Sequence, residues 1–184
     1  MEIRRFDISE LGLLTPTQFE DGRGMFAEIL NARRFIELLG PDAVFVQDNL
    51  SRSLRKGTVR ALHFQKPPNA QGKLVRVSRG RILDVAVDLR KCSPSYGEHV
   101  AVELGAEKLE LFWVPQGFAH GFVTLEPNTE VTFKTTAYYS ADDEVGIAWD
   151  DPVLGIDWGV TTDDAVLAAR DRVQPGFADL VSPF

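Results

Sequence analysis

Two of the chain's three histidines sit where proton chemistry is plausible. His63 lies in Gly57-Thr58-Val59-Arg60-Ala61-Leu62-His63-Phe64-Gln65. In a regularly alternating strand, Ala61, His63 and Gln65 share one face and Arg60, Leu62 and Phe64 the other. The His63 face is then small and polar, which suits the lining of a hollow better than a packed core. Imidazole exchanges protons near neutral pH, so a base there is one reading and a satisfied structural histidine the other. His120 is flanked by Ala119 and Gly121, small residues that leave room for a group to approach the ring. As metal ligands the two fit poorly. A metal-binding β-barrel usually offers His-x-His with a carboxylate nearby, and position 65 is Gln, so no metal is expected. His99 follows Gly97-Glu98 at a turn and is expected at the surface.

Cationic and acidic side chains complete the set. Lys73 opens Lys73-Leu74-Val75-Arg76-Val77-Ser78. It is either solvated or aimed into a barrel mouth, where it would steady an anion or a developing oxyanion. Arg23 stands between Gly22 and Gly24 in a loop whose backbone can approach a ligand closely. Arg23, Arg60 and Lys73 together have the chemistry to hold a diphosphate, and arginine forks match phosphate oxygens well. Scattered surface bases are the alternative. Asp171 gains a role only if the tail folds back to orient His63, as a carboxylate orients a general base. Tyr138-Tyr139 is either rim packing or a stacking platform for a nucleobase.

These side chains need a scaffold, and short apolar runs separated by turns supply it. The runs are Val44–Leu50, Thr58–Phe64, Lys73–Ser78, Arg81–Leu89, His99–Leu104, Leu109–Val114, Phe118–Leu125 and Glu130–Tyr139. They are rich in Val, Phe, Leu and Thr, as strands prefer. Lys56-Gly57, Arg79-Gly80, Ser93-Pro94, Leu104-Gly105, Pro115-Gln116-Gly117 and Pro127-Asn128 punctuate them. Strands at this spacing predict an all-β sandwich or barrel. A parallel α/β sheet would need helix-length crossovers. Two helices are expected. One is capped by Asn31 over Ala32–Leu39, with Phe35, Ile36 and Leu39 on one face and Gly40 as the stop; the other is short, from Asp163 or Asp164 through Arg170.

Composition narrows the function classes. The 184 residues carry a net charge of −7 with a pI near 5.0, which disfavours a dedicated nucleic-acid binder. No run of 18 apolar residues exists, so no membrane span is expected. Met1-Glu2-Ile3-Arg4-Arg5-Phe6-Asp7 has charges where a signal peptide needs an apolar core. One cysteine, Cys92, fits a reducing, cytoplasmic compartment. Without linkers or repeats, residues 1–184 are expected to form a single domain.

Taken in order, the segments resemble the dTDP-4-dehydrorhamnose 3,5-epimerase family from about Phe19 to Asp171. The resemblance rests on Asp21-Gly22-Arg23-Gly24 with Phe26 and Glu28, and Gln47-Asp48-Asn49 with Ser51. It continues through Arg60-Ala61-Leu62-His63-Phe64-Gln65, Gln71-Gly72-Lys73-Leu74-Val75 and Asp84-Val85-Ala86-Val87-Asp88-Leu89-Arg90. Ser93-Pro94-Ser95-Tyr96-Gly97, Pro115-Gln116-Gly117-Phe118-Ala119-His120-Gly121-Phe122 and Trp149-Asp150-Asp151-Pro152 complete it. Each piece alone is weak; the ordered set is specific.

The resemblance implies an all-β, cupin-type jelly roll (a double-stranded β-helix barrel with short peripheral helices), a homodimer, and no metal or other cofactor. It implies an isomerase acting on a thymidine-diphosphate 4-keto-6-deoxyhexose, removing and returning protons at the carbons beside the ketone. It casts His63 as the base, Asp171 as its orienting partner and Lys73 as the oxyanion stabiliser. Arg60 and His120 would line the sugar and phosphate site. Arg23, Glu28, Gln47 and Asn49 would bind the nucleotide end, some of them donated by a partner subunit. Tyr139 would stack on thymine, with Glu144 and Arg170 at the rim.

Two departures matter. The family's general acid is a tyrosine, and Glu130-Val131-Thr132-Phe133-Lys134 places a hydroxyl-free ring there. Loss of a positioned acid typically costs on the order of 10²- to 10⁴-fold in rate. Ala61 stands where the family often has Gly. The leading expectation is epimerisation at C3, C5 or both. The alternatives are a mono-epimerase or other isomerase of a related sugar, a non-catalytic nucleotide-sugar-binding protein, and a metal-dependent cupin enzyme.

Overall fold

The computed structural model describes residues 1–184. Its strands are β1 (Glu2–Arg5), β2 (Gly12–Thr15), β3 (Gln18–Asp21), β4 (Gly24–Ala27), β5 (Gln47–Ser53), β6 (Val59–Gln65) and β7 (Lys73–Arg79). They continue as β8 (Arg81–Asp88), β9 (His99–Gly105), β10 (Leu111–Val114), β11 (Phe118–Thr124), β12 (Thr129–Thr135) and β13 (Glu144–Gly146). The single α-helix, α1, spans Ala32–Leu39. No helix is long and apolar enough to cross a membrane.

The pairings are nested: β5 with β12, β6 with β11, β7 with β10 and β8 with β9, all antiparallel. Successive members fall mostly on alternate sheets. The result is one sheet ordered β1-β2-β10-β7-β12-β5 and another ordered β13-β6-β11-β8-β9, with β3-β4 a separate hairpin. A long hairpin wound on itself in this way is a jelly roll, which leaves few free edges.

Three apolar layers hold it together. Val75, Val77 and Val131 of the six-stranded sheet meet Ile82, Ala86, Phe118 and Phe122 of the five-stranded sheet in the interior. The outer face of the five-stranded sheet, through Ala61, Leu62, Phe64, Val85 and Ala119, is covered by Ile147, Trp149, Trp158 and Phe177 of the C-terminal segment. Helix α1 covers the outer face of the six-stranded sheet, burying Phe35 against Leu14, Leu74, Leu111 and Trp113. Full burial of a side chain such as Phe35 is worth roughly 1.5–3 kcal/mol.

The first helix starts and stops as expected. Asn31 Oδ1 accepts from Arg34 N–H, and Gly40 N–H closes on Ile36 C=O with φ +98°. Its buried side chain is Phe35; Ile36, expected beside it, is exposed. The second expected helix does not form. Thr161 and Asp164 make a turn, and Val166 forms a parallel bridge with Thr58. Helix gives way because β6 offers partners: Val59 N–H donates to Val166 C=O and Val166 N–H to Gly57 C=O. A 3₁₀ turn, Ala169–Arg172, follows. The strand expected to reach Tyr139 ends at Thr135, leaving Tyr138 and Tyr139 in a loop. Strands β1 to β4 and β13 gave no sequence signal: they are three or four residues long, and β3 is exposed throughout.

Candidate active site

Residues of both sheets and of the C-terminal segment line a cavity of about 470 Å³. A β-bulge decides what lines it. Between β11 and β6, His120 pairs with His63 but Phe122 pairs with Arg60, so β6 carries one extra residue there. The alternation expected for residues 60–65 therefore holds from Leu62 to Gln65 and breaks at Ala61 and Arg60. Arg60 and His63 both line the cavity with Gln65; Ala61 and Leu62 join the outer apolar layer, and Phe64 packs in that layer while also bordering the cavity. Gly121 is part of the same device. A Cβ there would lie 2.3 Å from the Ala61 Cβ, so the room beside His120 is filled by β6 and is no approach path for a ligand.

His63 is held from behind. Its Nε2 lies 2.7 Å from Asp171 Oδ1, and the two side chains are 15% and 3% exposed. Asp171 sits in the 3₁₀ turn that the Thr58–Val166 bridge lays beside β6. The tail does fold back. With Nε2–H donating to the carboxylate, Nδ1 keeps the basic lone pair.

A second pair stands beside the first. His120, in register with His63, has its Nε2 2.6 Å from Oδ1 of Asp84 on β8. Asp84 is fully buried, and its Oδ2 has no hydrogen-bond partner. Asp84 was not singled out from the sequence; on a strand of alternating Val and Ala, a carboxylate at an inward position was the available signal.

From the opposite sheet, Lys73 Nζ donates to the His63 carbonyl at 3.2 Å. Removal from water in the cavity pushes its pKa down to about 8, partly offset by the Glu144 and Asp84 carboxylates. Phe133 presents its ring on the same side. Asn49 lines the cavity, accepts from Gln47 Nε2 at 2.7 Å and donates to the Phe133 carbonyl at 3.2 Å. Gln47 stands behind, accepting from Tyr139 N–H. At the mouth, Tyr139 Oη and Arg170 Nη1 both donate to Glu144 Oε2, at 2.8 and 3.0 Å. The Glu144 bond raises the pKa of the Tyr139 phenol. Arg60 has no carboxylate partner, and its Nε donates to Ser53 Oγ at 3.4 Å. An unpaired guanidinium in a cavity is suited to an anion.

Two expected binding residues lie elsewhere. Arg23, at the turn of the β3–β4 hairpin, is paired with Asp21 at 2.6 Å and is 90% exposed. Glu28 accepts from Asn31 and approaches Arg34. Neither reaches the cavity of its own chain. His99, expected at the surface, is half-buried at the start of β9, and that burial lowers its pKa. Gln65, at the position weighed for a metal ligand, braces loops instead: it donates to Asn69 and Tyr138 carbonyls and accepts from Ser140 N–H. No three His, Cys, Asp or Glu side chains converge as a metal site.

The arrangement is therefore an oriented imidazole, a lysine and a guanidinium around a cavity of sugar-phosphate size. Comparison with known proteins gives it context. A family model for dTDP-4-dehydrorhamnose 3,5-epimerase matches residues 5–179. The dTDP-4-dehydrorhamnose 3,5-epimerase of Sinorhizobium fredii is 46% identical over 184 residues, covering 100% of this chain and 93% of that protein. The crystal structure of the enzyme of that name from Elizabethkingia anophelis superposes with TM-score 0.93 at 41% identity, covering 97% of each chain. The dTDP-6-deoxy-D-glucose-3,5-epimerase of Legionella pneumophila, solved in complex with dTDP-4-keto-L-rhamnose, superposes with TM-score 0.92 at 41% identity, covering 97% of this chain and 94% of that one.

Proposed function

The chain belongs to the dTDP-4-dehydrorhamnose 3,5-epimerase family, and on that premise we propose how its cavity inverts the carbons beside the C4 ketone of a dTDP-4-dehydro-6-deoxyhexose. The ketone acidifies the neighbouring C–H bonds. His63 Nδ1 removes a proton, and the bonding pair moves onto the C4 oxygen as an enolate. Asp171 fixes the imidazole tautomer and stabilises the imidazolium, and the Lys73 ammonium stabilises the oxyanion. A proton returning from the opposite side inverts the carbon. Repeated at C5 and C3, this converts the D-gluco ketone into the L-rhamno ketone of dTDP-rhamnose synthesis.

Binding roles follow from position. Arg60 and His120 line the sugar and phosphate region, Gln47 and Asn49 the nucleotide end, and Tyr139 offers an exposed ring to thymine. Glu144 and Arg170 form the rim. The reading rests above all on the His63–Asp171 pair: a base oriented through 2.7 Å, beside a lysine, with open cavity before it.

The test is incubation with the dTDP 4-keto sugar in D₂O, followed by NMR. Deuterium at C3 and C5 with an L-rhamno product is expected; no exchange at either carbon would contradict the reading. Phe133, hydroxyl-free on the wall facing His63, is the reason to test one variant of it, inversion at a single carbon, which a product inverted at C3 or C5 alone would select.

The working unit we propose is a homodimer of single-domain chains in the cytoplasm. The β3–β4 hairpin exposes Phe19 and Phe26, at 62% and 69%, and carries Arg23 and Glu28 away from their own cavity. Docked on a second copy, it would bury that apolar surface and bring Arg23 to the neighbour's nucleotide site. Sedimentation at the mass of one chain would contradict this. The lone exposed thiol, Cys92, fits a reducing compartment.

A further inference from the structure

Epimerisation needs two proton-handling groups on two sides of a flat enolate, and the fold assigns side chains to sides. His63 and His120 both come from the five-stranded sheet, on β6 and β11. A proton delivered from that sheet would return to the side it left and restore the starting carbon. The facing six-stranded sheet contributes Asn49, Leu50, Ser51, Lys73 and Phe133 to the cavity. Phe133 has no exchangeable proton, and amides and serine hydroxyls are not acids at neutral pH.

We propose that the Lys73 ammonium is the proton donor to the enolate carbon in this chain. The assignment rests on the epimerase reading above and extends it. Lys73 pairs with Thr135, and Phe133 pairs with Val75, so Lys73 and Phe133 are diagonal neighbours on one inner face of β7 and β12. Such neighbours are roughly 7–8 Å apart at the backbone, within reach of a lysine side chain. Nζ spends one hydrogen on the His63 carbonyl and keeps two N–H bonds for the substrate.

The charged and titratable groups around it are Glu144 on β13, Asp84 on β8, the His63, Arg60 and His120 side chains of β6 and β11, and Arg170 and Asp171 of the C-terminal 3₁₀ turn. Its register partners on β10 and β12, Val114 and Thr135, are uncharged. With its pKa near 8, the ammonium predominates at neutral pH and gives up a proton more readily than an ordinary lysine. Tyr139, the other acid at the cavity, already donates its hydroxyl to Glu144 on β13 and is 54% exposed at the mouth.

The step balances. His63 Nδ1 takes the proton as the C–H bond breaks and the pair moves to the C4 oxygen. The pair returns to re-form C4=O as the carbon takes a proton from Nζ, leaving a neutral amine. Solvent exchange restores the amine to ammonium and the imidazolium to imidazole, so nothing is consumed.

The experiment separates removal of a proton from its return. His63 can wash deuterium into the starting epimer unaided, whereas inversion needs the opposite donor. Lys73→Arg keeps the positive charge for the oxyanion but holds its proton too tightly to give. In D₂O, K73R should exchange substrate hydrogen while its inversion-to-exchange ratio falls by on the order of 10²-fold or more. Adding Phe133→Tyr should restore the ratio. A ratio unchanged in K73R, or one lost in Tyr139→Phe instead, would overturn the assignment. Wild-type protein gives an independent reading if K73R misfolds: the ratio should fall as pH rises through about 8 and the ammonium is lost, and a flat ratio would overturn it. Wild type with no exchange at all would sink the epimerase reading itself, and the donor with it.

Discussion

His63 with Asp171 and His120 with Asp84 are both imidazole–carboxylate pairs, 2.7 and 2.6 Å apart, on neighbouring strands of one sheet. They differ in where the carboxylate comes from. Asp84 lies on β8 inside the jelly roll, fully buried, with one oxygen unpartnered. Asp171 arrives from a C-terminal segment folded back along β6, next to Arg170, which also grips Glu144 at the mouth. An identical contact thus sits in two settings: one embedded in the sheet, the other tied to the rim through which substrate enters. The contrast assigns proton removal to His63 and a fixed, binding and electrostatic role to the Asp84 pair.

The largest break in that contrast is His63→Ala, which should lower turnover by on the order of 10⁴-fold, while His120→Ala falls far less. Comparable losses in steady-state assays would erase the distinction. Next comes Asp171→Asn. The ring remains, but its tautomer and orientation are no longer enforced, and a drop on the order of 10²-fold is expected in kcat. Asp84→Asn should cost under about tenfold, because the amide still accepts from His120. Its mark lies in the pH profile. The Asp84 carboxylate helps keep Lys73 protonated, so removing that charge lowers the lysine pKa further below its usual value. The alkaline limb of the rate profile should therefore move to lower pH; an unmoved limb would show that Asp84 does not act on Lys73.

The same contrast shows what was legible in the residues. His63 and Asp171 were readable as a base and a conditional partner, but not how β6 presents them. Strict alternation put Arg60 and His63 on opposite faces, and the bulge that turns both inward left its trace in Gly121 opposite Ala61. The bounds of helix α1 were readable from Asn31 and Gly40, because caps are local chemistry, but its buried face was not: Ile36 is exposed. The tail was not. Residues 163–170 carry helix-start signals that lose to backbone pairing with β6, a partner about a hundred residues away. Arg23 and Glu28 carry charge suited to a diphosphate nucleotide, yet a hairpin displays them outward. Asp84 was hidden by its own context, a carboxylate among Val and Ala whose meaning appears only when His120 comes alongside.

The most direct measurement compares C–H exchange in two matched variants, His63→Asn and His120→Asn, with the dTDP 4-keto sugar in D₂O. Thymidine-diphosphate affinity, measured by calorimetry, serves as the control for folding. The account predicts no detectable deuterium at C3 or C5 in H63N, and exchange within about tenfold of wild type in H120N. Exchange surviving in H63N, or vanishing in H120N while nucleotide binding persists, would contradict it.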